Sequence, residues 1–139
     1  MTTWIIVEDE PDVYEMLLAL SEVMGNDGIA FIDGDEAIAW VDDVDRGQLG
    51  GEMPELALLD IRLPTEIDGA DVGRRLRESH VLRDIAIILM TAYKLGPDER
   101  DELMKRADAD LFLQKPLPSF LELQTMFSDV IEQRALGSH

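Results

Sequence analysis

Five short apolar runs alternate strictly with five stretches of helical spacing along the 139 residues. That alternation constrains the fold more than any other feature. The runs are Thr2–Val7, Ile29–Ile32, Leu56–Asp60, Ile85–Met90 and Leu111–Gln114. Each is rich in β-branched, aromatic or aliphatic residues and ends at turn or charged residues. Such runs read as strands buried on both faces. Pro11 opens the first helix, with Val13, Met16, Leu17, Leu20, Val23 and Met24 at helical spacing. Gly25 and Gly28 stop it. A second helix starts near Asp35, with Ala37, Ile38, Trp40 and Val41 inward, and Asp42 to Glu55 reads as a polar connector. After Asp68-Gly69, a third helix turns Val72, Gly73 and Leu76 inward and Arg74, Arg75 and Arg77 to water. Pro97 opens the fourth, with Leu103, Met104 and Ala107 inward. The fifth starts near Pro118 or Ser119, with Phe120, Leu121, Phe127, Val130 and Ile131 inward and Leu123 and Met126 partly exposed. Strict alternation predicts a single-domain α/β fold, a doubly wound (βα)5 with a five-stranded parallel sheet.

Composition narrows the chemistry. Thirty acidic residues against 12 basic ones give a net charge of -18. Phosphate backbones attract basic surfaces, so nucleic acid is excluded as a partner. An anionic membrane is excluded by the same charge argument. No cysteine is present, which removes disulfides, thiolate catalysis and cysteine-ligated zinc. His80 and His139 are the only histidines, too few for a multi-histidine metal site. No apolar run reaches membrane-spanning length, and no basic region precedes an apolar stretch at the start. The expectation is a cytoplasmic protein, with the domain over residues 2–136 and Gly137-Ser138-His139 as a cloning-tag remnant.

Open parallel sheets bind ligands outside the carboxyl ends of their strands. There the first strand places Glu8 and Asp9, the third Asp60, the fourth Thr91 and the fifth Lys115. Taken singly, each has a plain structural explanation. Glu8 and Asp9 can cap the first helix, Asp60 and Thr91 can cap their turns, and Lys115 can be a surface lysine. Taken together they are three carboxylates, one hydroxyl and one ammonium on one sheet edge. The excess negative charge calls for a divalent cation. An all-oxygen donor set favours Mg2+ or Mn2+ over zinc. An aspartate can also act as a nucleophile toward phosphorus, forming an aspartyl phosphate. Lys115 and the cation would neutralise charge on the phosphoryl group, and the Thr91 hydroxyl could donate to one of its oxygens.

These segments resemble the CheY-like receiver domain of two-component response regulators, over about Trp4 to Leu136. Ile6-Val7-Glu8-Asp9-Glu10-Pro11 resembles the family's acidic pair, with Glu8 where aspartate is commoner. Leu58-Leu59-Asp60-Ile61-Arg62-Leu63-Pro64 resembles the phosphoacceptor segment. Leu89-Met90-Thr91-Ala92 resembles the switch-hydroxyl segment and Gln114-Lys115-Pro116 the lysine-proline motif. The resemblance implies the flavodoxin-like strand order 2-1-3-4-5. It implies a phosphoryl group on Asp60, taken from a histidine kinase or a phosphotransfer protein. Mg2+ would be held by Asp9, Asp60 and the Arg62 backbone carbonyl, with Glu8 helping through water. Thr91 and Lys115 would bind phosphoryl oxygens, and Phe112 would be the switch aromatic. The Lys115-Pro116 bond is often cis in this family. The Pro64–Gly69 loop is one residue longer than the commonest form. Arg62 and Tyr93 lie two positions after Asp60 and Thr91, and we expect these bulky side chains to shield the acyl phosphate.

A protein partner, as yet unidentified, would then read the switch near Thr91, Phe112 and the last helix. Homodimerisation through the fourth and fifth helices is a further expectation, favoured if Leu123 or Met126 is exposed. Two alternative readings stand beside this one. A receiver-like scaffold that is never phosphorylated would keep the fold and act by interaction or dimerisation alone. An aspartate-nucleophile phosphatase would need a second carboxylate two residues after Asp60, where this chain has Arg62. A flavodoxin-type cofactor binder fits less well, because Glu8-Asp9-Glu10 would repel phosphate after the first strand.

Overall fold

The computed structural model describes residues 3–137. Thr2 of the expected domain and Ser138 and His139 of the expected tag remnant lie outside the described residues. The strands are β1 (Thr3–Val7), β2 (Asp27–Phe31), β3 (Pro54–Asp60), β4 (Ala86–Thr91) and β5 (Leu111–Gln114). The helices between and after them are α1 (Pro11–Val23), α2 (Gly34–Asp45), α3 (Gly69–Glu78), α4 (Pro97–Ala107) and α5 (Phe120–Ala135). The strands form one sheet in the order β2-β1-β3-β4-β5, and every neighbouring pair is parallel. The expected doubly wound fold and its strand order are therefore both observed.

Alternating side chains of the central strands build two separate cores. Ile5, Val7, Ala57, Leu59, Ile87 and Leu89 point to one face. There they meet Ala37, Val41 and Val44 of α2, Val72 and Leu76 of α3, and Leu103 and Ala107 of α4. Trp4, Ile6, Leu56, Leu58, Ile88 and Met90 point to the other face, against Leu17 and Leu20 of α1 and Leu123 and Phe127 of α5. Trp4 and Phe127 meet edge to face with ring centroids 5.6 Å apart. Trp4 to Val7, Leu56 to Leu59 and Ala86 to Met90 carry no polar residue, because both faces of these central strands are covered.

Several expectations about individual residues need correction. α2 runs on to Asp45, four residues into the expected connector, because Val44 continues the buried stripe of Ala37 and Val41. Leu123 is fully buried, while Phe120 and Leu121 are exposed. The inward stripe of α5 is Leu123, Phe127, Val130 and Ile131, the i, i+4, i+7 and i+8 positions of one helix face. Phe120 and Leu121 start the helix before that stripe begins. Val23, at the last turn of α1, is also exposed.

Arg75 and Arg77 are not a solvated face. Arg75 Nη2 donates to Asp42 Oδ1 at 2.9 Å and Asp45 Oδ2 at 2.7 Å, tying α3 to α2. Arg77 Nη1 donates to the carbonyls of Arg83 and Ile85, both at 2.6 Å, and Arg77 Nη2 to that of Asp108 at 2.9 Å. All three carbonyls belong to residues just outside the helices and strands, and the guanidinium gives them a charged donor.

Candidate functional site

Parallel pairing brings the carboxyl ends of β1, β3, β4 and β5 to one edge. Val7 lies opposite Leu59, Asp60 opposite Met90, and Thr91 opposite Gln114. The chain stays extended just past these ends. The Glu8 N–H donates to the Phe31 carbonyl at 3.0 Å, and Ile61 N–H to Met90 at 2.8 Å. Lys115 N–H donates to the Thr91 carbonyl at 2.8 Å, and the Gln114 side-chain amide donates to the same oxygen at 3.0 Å. The Lys115–Pro116 peptide bond is cis.

Four of the expected residues converge closely. Carboxylate oxygens of Glu8, Asp9 and Asp60 all lie within 4.8 Å of one another. Glu8 is fully buried, Asp60 is 5 % exposed, and Asp9 stands exposed at the rim. Lys115 Nζ donates to Glu8 Oε1 at 2.7 Å and sits 3.5 Å from Asp60 Oδ2. Glu8 Oε2 accepts from the Glu10 backbone N–H at 3.1 Å. Thr91 is buried at the end of β4, and its hydroxyl oxygen accepts from the Tyr93 N–H at 3.1 Å.

The electrostatics show which charge is left over. Burial and the neighbouring Glu8 charge push the Asp60 carboxyl up to about 7, although the Lys115 ammonium pulls the other way. Burial alone would lower the Lys115 ammonium, yet Glu8, Asp60 and Glu10 hold it above its ordinary value. One ammonium thus fails to neutralise the acids around it, and Asp60 carries the deficit. A hard divalent cation would correct it, and the three oxygen donors suit Mg2+. The donor set therefore fits the expected metal.

Asp9, Glu10, Asp60, Arg62, Ala92 and Tyr93 line a cleft of about 300 Å³ over these groups. At its mouth the Arg62 guanidinium lies 4.1 Å from the Tyr93 ring centroid, a cation–π stack. The two expected shielding residues are therefore in contact with each other. Phe112 is not part of the cleft lining. Its half-buried ring packs into the core on the α3 and α4 side, with the Arg100 guanidinium 4.6 Å from its centroid.

Three further residues shape the site. Glu10 braces Glu8 through its backbone, and its Oε2 lies 3.7 Å from Lys115 Nζ. Gln114 holds the Thr91 carbonyl. Gly69, read from sequence only as a turn signal, lies against the backbone of Asp60. A Cβ there would collide with the Asp60 carbonyl oxygen and stand 2.8 Å from its carbonyl carbon. Its N–H also donates to the Ile61 carbonyl at 3.0 Å. We expect Gly69→Ala to cost about 3 kcal/mol by overpacking and to displace Asp60. Thermal unfolding with and without Mg2+ checks this. An alanine variant of unchanged melting temperature and unchanged response to Mg2+ would contradict it.

Known proteins agree with this geometry. Residues 4–127 match the response regulator receiver domain. The chain is 32% identical over 119 residues to the polar-differentiation response regulator DivK of Brucella anthropi, covering 84% of this chain and 88% of that protein. Among solved structures, it is similar to the signal receiver domain of a modulated diguanylate cyclase from Desulfovibrio desulfuricans. That likeness has 25% identity, a TM-score of 0.77 and 99% coverage of both chains. It is also similar to the receiver domain of a Pseudomonas aeruginosa sensor histidine kinase, which has a magnesium ion coordinated in its active site cleft. There identity is 27% and TM-score 0.75, over 94% of this chain and 98% of that one. With its fold, its acidic cleft and these relatives in agreement, the chain belongs to the response regulator receiver domain family of two-component signalling.

Proposed function

We propose that Asp60 accepts a phosphoryl group from a histidine kinase or a phosphotransfer protein. The observation that carries this reading is a nearly buried carboxylate on the cleft floor, flanked by two acids and a lysine whose side chain is 9 % exposed. An Asp60 carboxylate oxygen attacks phosphorus, and the bond from phosphorus to the donor breaks. The leaving histidine nitrogen, or acetate when acetyl phosphate is the donor, takes the electron pair. Lys115 places its positive charge beside the oxygens of the transferred group, and the Thr91 hydroxyl turns to donate to one of them. Asp9, Asp60 and the Arg62 backbone carbonyl would hold Mg2+, with Glu8 helping through water. When bound, Mg2+ supplies charge neutralisation for the phosphoryl oxygens, and Mn2+ suits the same donors.

The phosphorylated state is read by a protein partner near Thr91, Phe112 and α5. Residues 2–136 are the receiver domain, in a cytoplasmic protein. Among the described residues, no helix is long and apolar enough to cross a membrane. Homodimerisation through α4 and α5 loses the support of Leu123, which is buried. Phe120 and Leu121 are the large apolar residues that α5 leaves exposed before its last turn.

Acetyl phosphate with Mg2+, followed by intact mass, tests the reading. The parent should gain the mass of one phosphoryl group, and Asp60→Asn should gain none. A parent that binds Mg2+ yet stays unmodified would make the chain an unphosphorylated scaffold. Sustained hydrolysis of a phosphate ester would instead make it a phosphatase. The Arg62–Tyr93 stack gives a second measurement. Shielding the acyl phosphate from water should lengthen its life, so Arg62→Ala and Tyr93→Ala should each shorten the dephosphorylation half-time. We expect a several-fold effect, on the order of the loss of one exposed cation–π contact. If neither half-time shortens, the stack does not shield.

A further inference from the structure

The start of α3 carries two like charges. Asp68 precedes the helix, and its Oδ1 accepts from the Asp71 N–H at 2.8 Å. Asp71 Oδ2 accepts in return from the Asp68 N–H at 3.0 Å. A reciprocal cap of this kind ordinarily pairs a neutral serine or threonine with one glutamate or glutamine. Here both members are carboxylates, and the partial positive charge of one helix end offsets only part of their repulsion. The missing cation comes from another helix. Arg106 of α4 donates through Nη1 to Asp68 Oδ1 at 3.1 Å and also to Asp71 Oδ1. Its Nε and Nη2 hold Glu102 at 3.0 and 3.3 Å, which fixes the guanidinium in that place.

The cap bears directly on Asp60. Gly69, the residue after Asp68, rests against the Asp60 carbonyl and donates its N–H to that of Ile61 at 3.0 Å. One turn further on, α4 lies close on α3, where a Cβ on Gly73 would stand 2.7 Å from the Ala107 Cβ. The first turns of α3 are thus held between α4 and the end of β3.

We propose that Arg106 is a positioning residue for Asp60, acting by neutralising the Asp68–Asp71 cap that sets Gly69 against the Asp60 backbone. This rests on the reading of Asp60 as the phosphoacceptor. Arg106 touches no reacting atom. Without its charge the two carboxylates push the cap apart, and Gly69 passes the displacement to Asp60. In-line attack on phosphorus tolerates little such displacement.

Phosphorylation rates with acetyl phosphate and Mg2+, followed by intact mass below the melting range of each variant, test the proposal. Arg106→Gln should be slower than the parent by about 10-fold, within the loss that a small misplacement causes. Adding Asp71→Asn should restore the rate to within about 3-fold of the parent, because the two sites are coupled. Asparagine keeps an oxygen for the Asp68 N–H and removes the repulsion. A role for Arg106 in packing α4 alone predicts no rescue from α3. A parental rate in Arg106→Gln, or a double variant as slow as the single one, would overturn the proposal. If Arg106→Gln does not fold, Arg106→Lys takes its place. An ammonium lacks the fork that spans both acids, so this variant should lose about 3-fold, again restored by Asp71→Asn. An unrestored or absent loss there counts against the proposal in the same way.

A second readout needs no phosphoryl group. In nitrogen-15 NMR spectra of the metal-free protein, Arg106→Gln should move the Asp60, Ile61 and Gly69 amide signals, and Asp71→Asn should bring them back toward the parent. Unmoved signals would overturn the proposal. Signals that move as expected in a protein that takes up no phosphoryl group would instead end the phosphoacceptor reading on which it stands.

Discussion

Lys115→Met is expected to destabilise the protein by about 3–5 kcal/mol at pH 8, the cost of removing one partner from a buried ion pair. Lys115 is 9 % exposed on its side chain, and Glu8 is fully buried. Without the ammonium, Glu8 and Asp60 become two facing carboxylates in a poorly solvated cleft. They can escape that repulsion only by taking up a proton. The loss should therefore be smaller at pH 5 than at pH 8, since a proton is then available to replace the lysine charge. Chemical denaturation of parent and variant at both values measures it. An equal loss at pH 5 and pH 8 would assign the lysine's contribution to packing of its methylene stem.

Asp60→Asn should act in the opposite direction and make the metal-free protein more stable at pH 8. Its cause is the Asp60 carboxyl, which burial and then the Glu8 charge push from 3.8 up to about 7. Between those values the folded state binds a proton that the unfolded chain does not. The stabilisation is complete below 3.8 and is lost as pH rises through 7. At one pKa unit per 1.36 kcal/mol the loss is at most about 4 kcal/mol, and solvent at the cleft mouth brings it nearer 2 kcal/mol. Asparagine carries no charge and escapes the loss. For a chain of this length the gain is about 5–10 °C in melting temperature at pH 8 in EDTA, shrinking toward pH 5. Mg2+ should stabilise the parent and leave Asp60→Asn nearly unchanged. A variant that melts with the parent at pH 8 would show that Asp60 is not held under charge repulsion.

Much of this was legible in the chain because strand and helix periodicities are local. Leu56 to Leu59 has no polar residue to turn outward, so a strand covered on both faces was the remaining choice. Pro11 and Pro97 open their helices where expected, since a residue lacking an N–H fits the first helical turn. Exposure was less legible. Leu121 and Leu123 are the same residue type two positions apart, and only the direction in which α5 lies on the sheet buries one and exposes the other. Arg74, Arg75 and Arg77 look alike in sequence. Asp42 and Asp45, 33 and 30 residues earlier on α2, draw in Arg75, and the carbonyls of Arg83 and Ile85 draw in Arg77.

The sequence by itself determined the order of elements and which five polar residues end the strands, because both follow from spacing along the chain. Only the tertiary structure decided what those residues do to each other. It set Glu8 rather than Asp9 against Lys115, brought the Arg62 side chain onto Tyr93, and pressed Gly69 against the Asp60 backbone. These contacts join residues from different strands and loops. Their distances depend on how the sheet twists and how closely its edges approach, which no local pattern encodes.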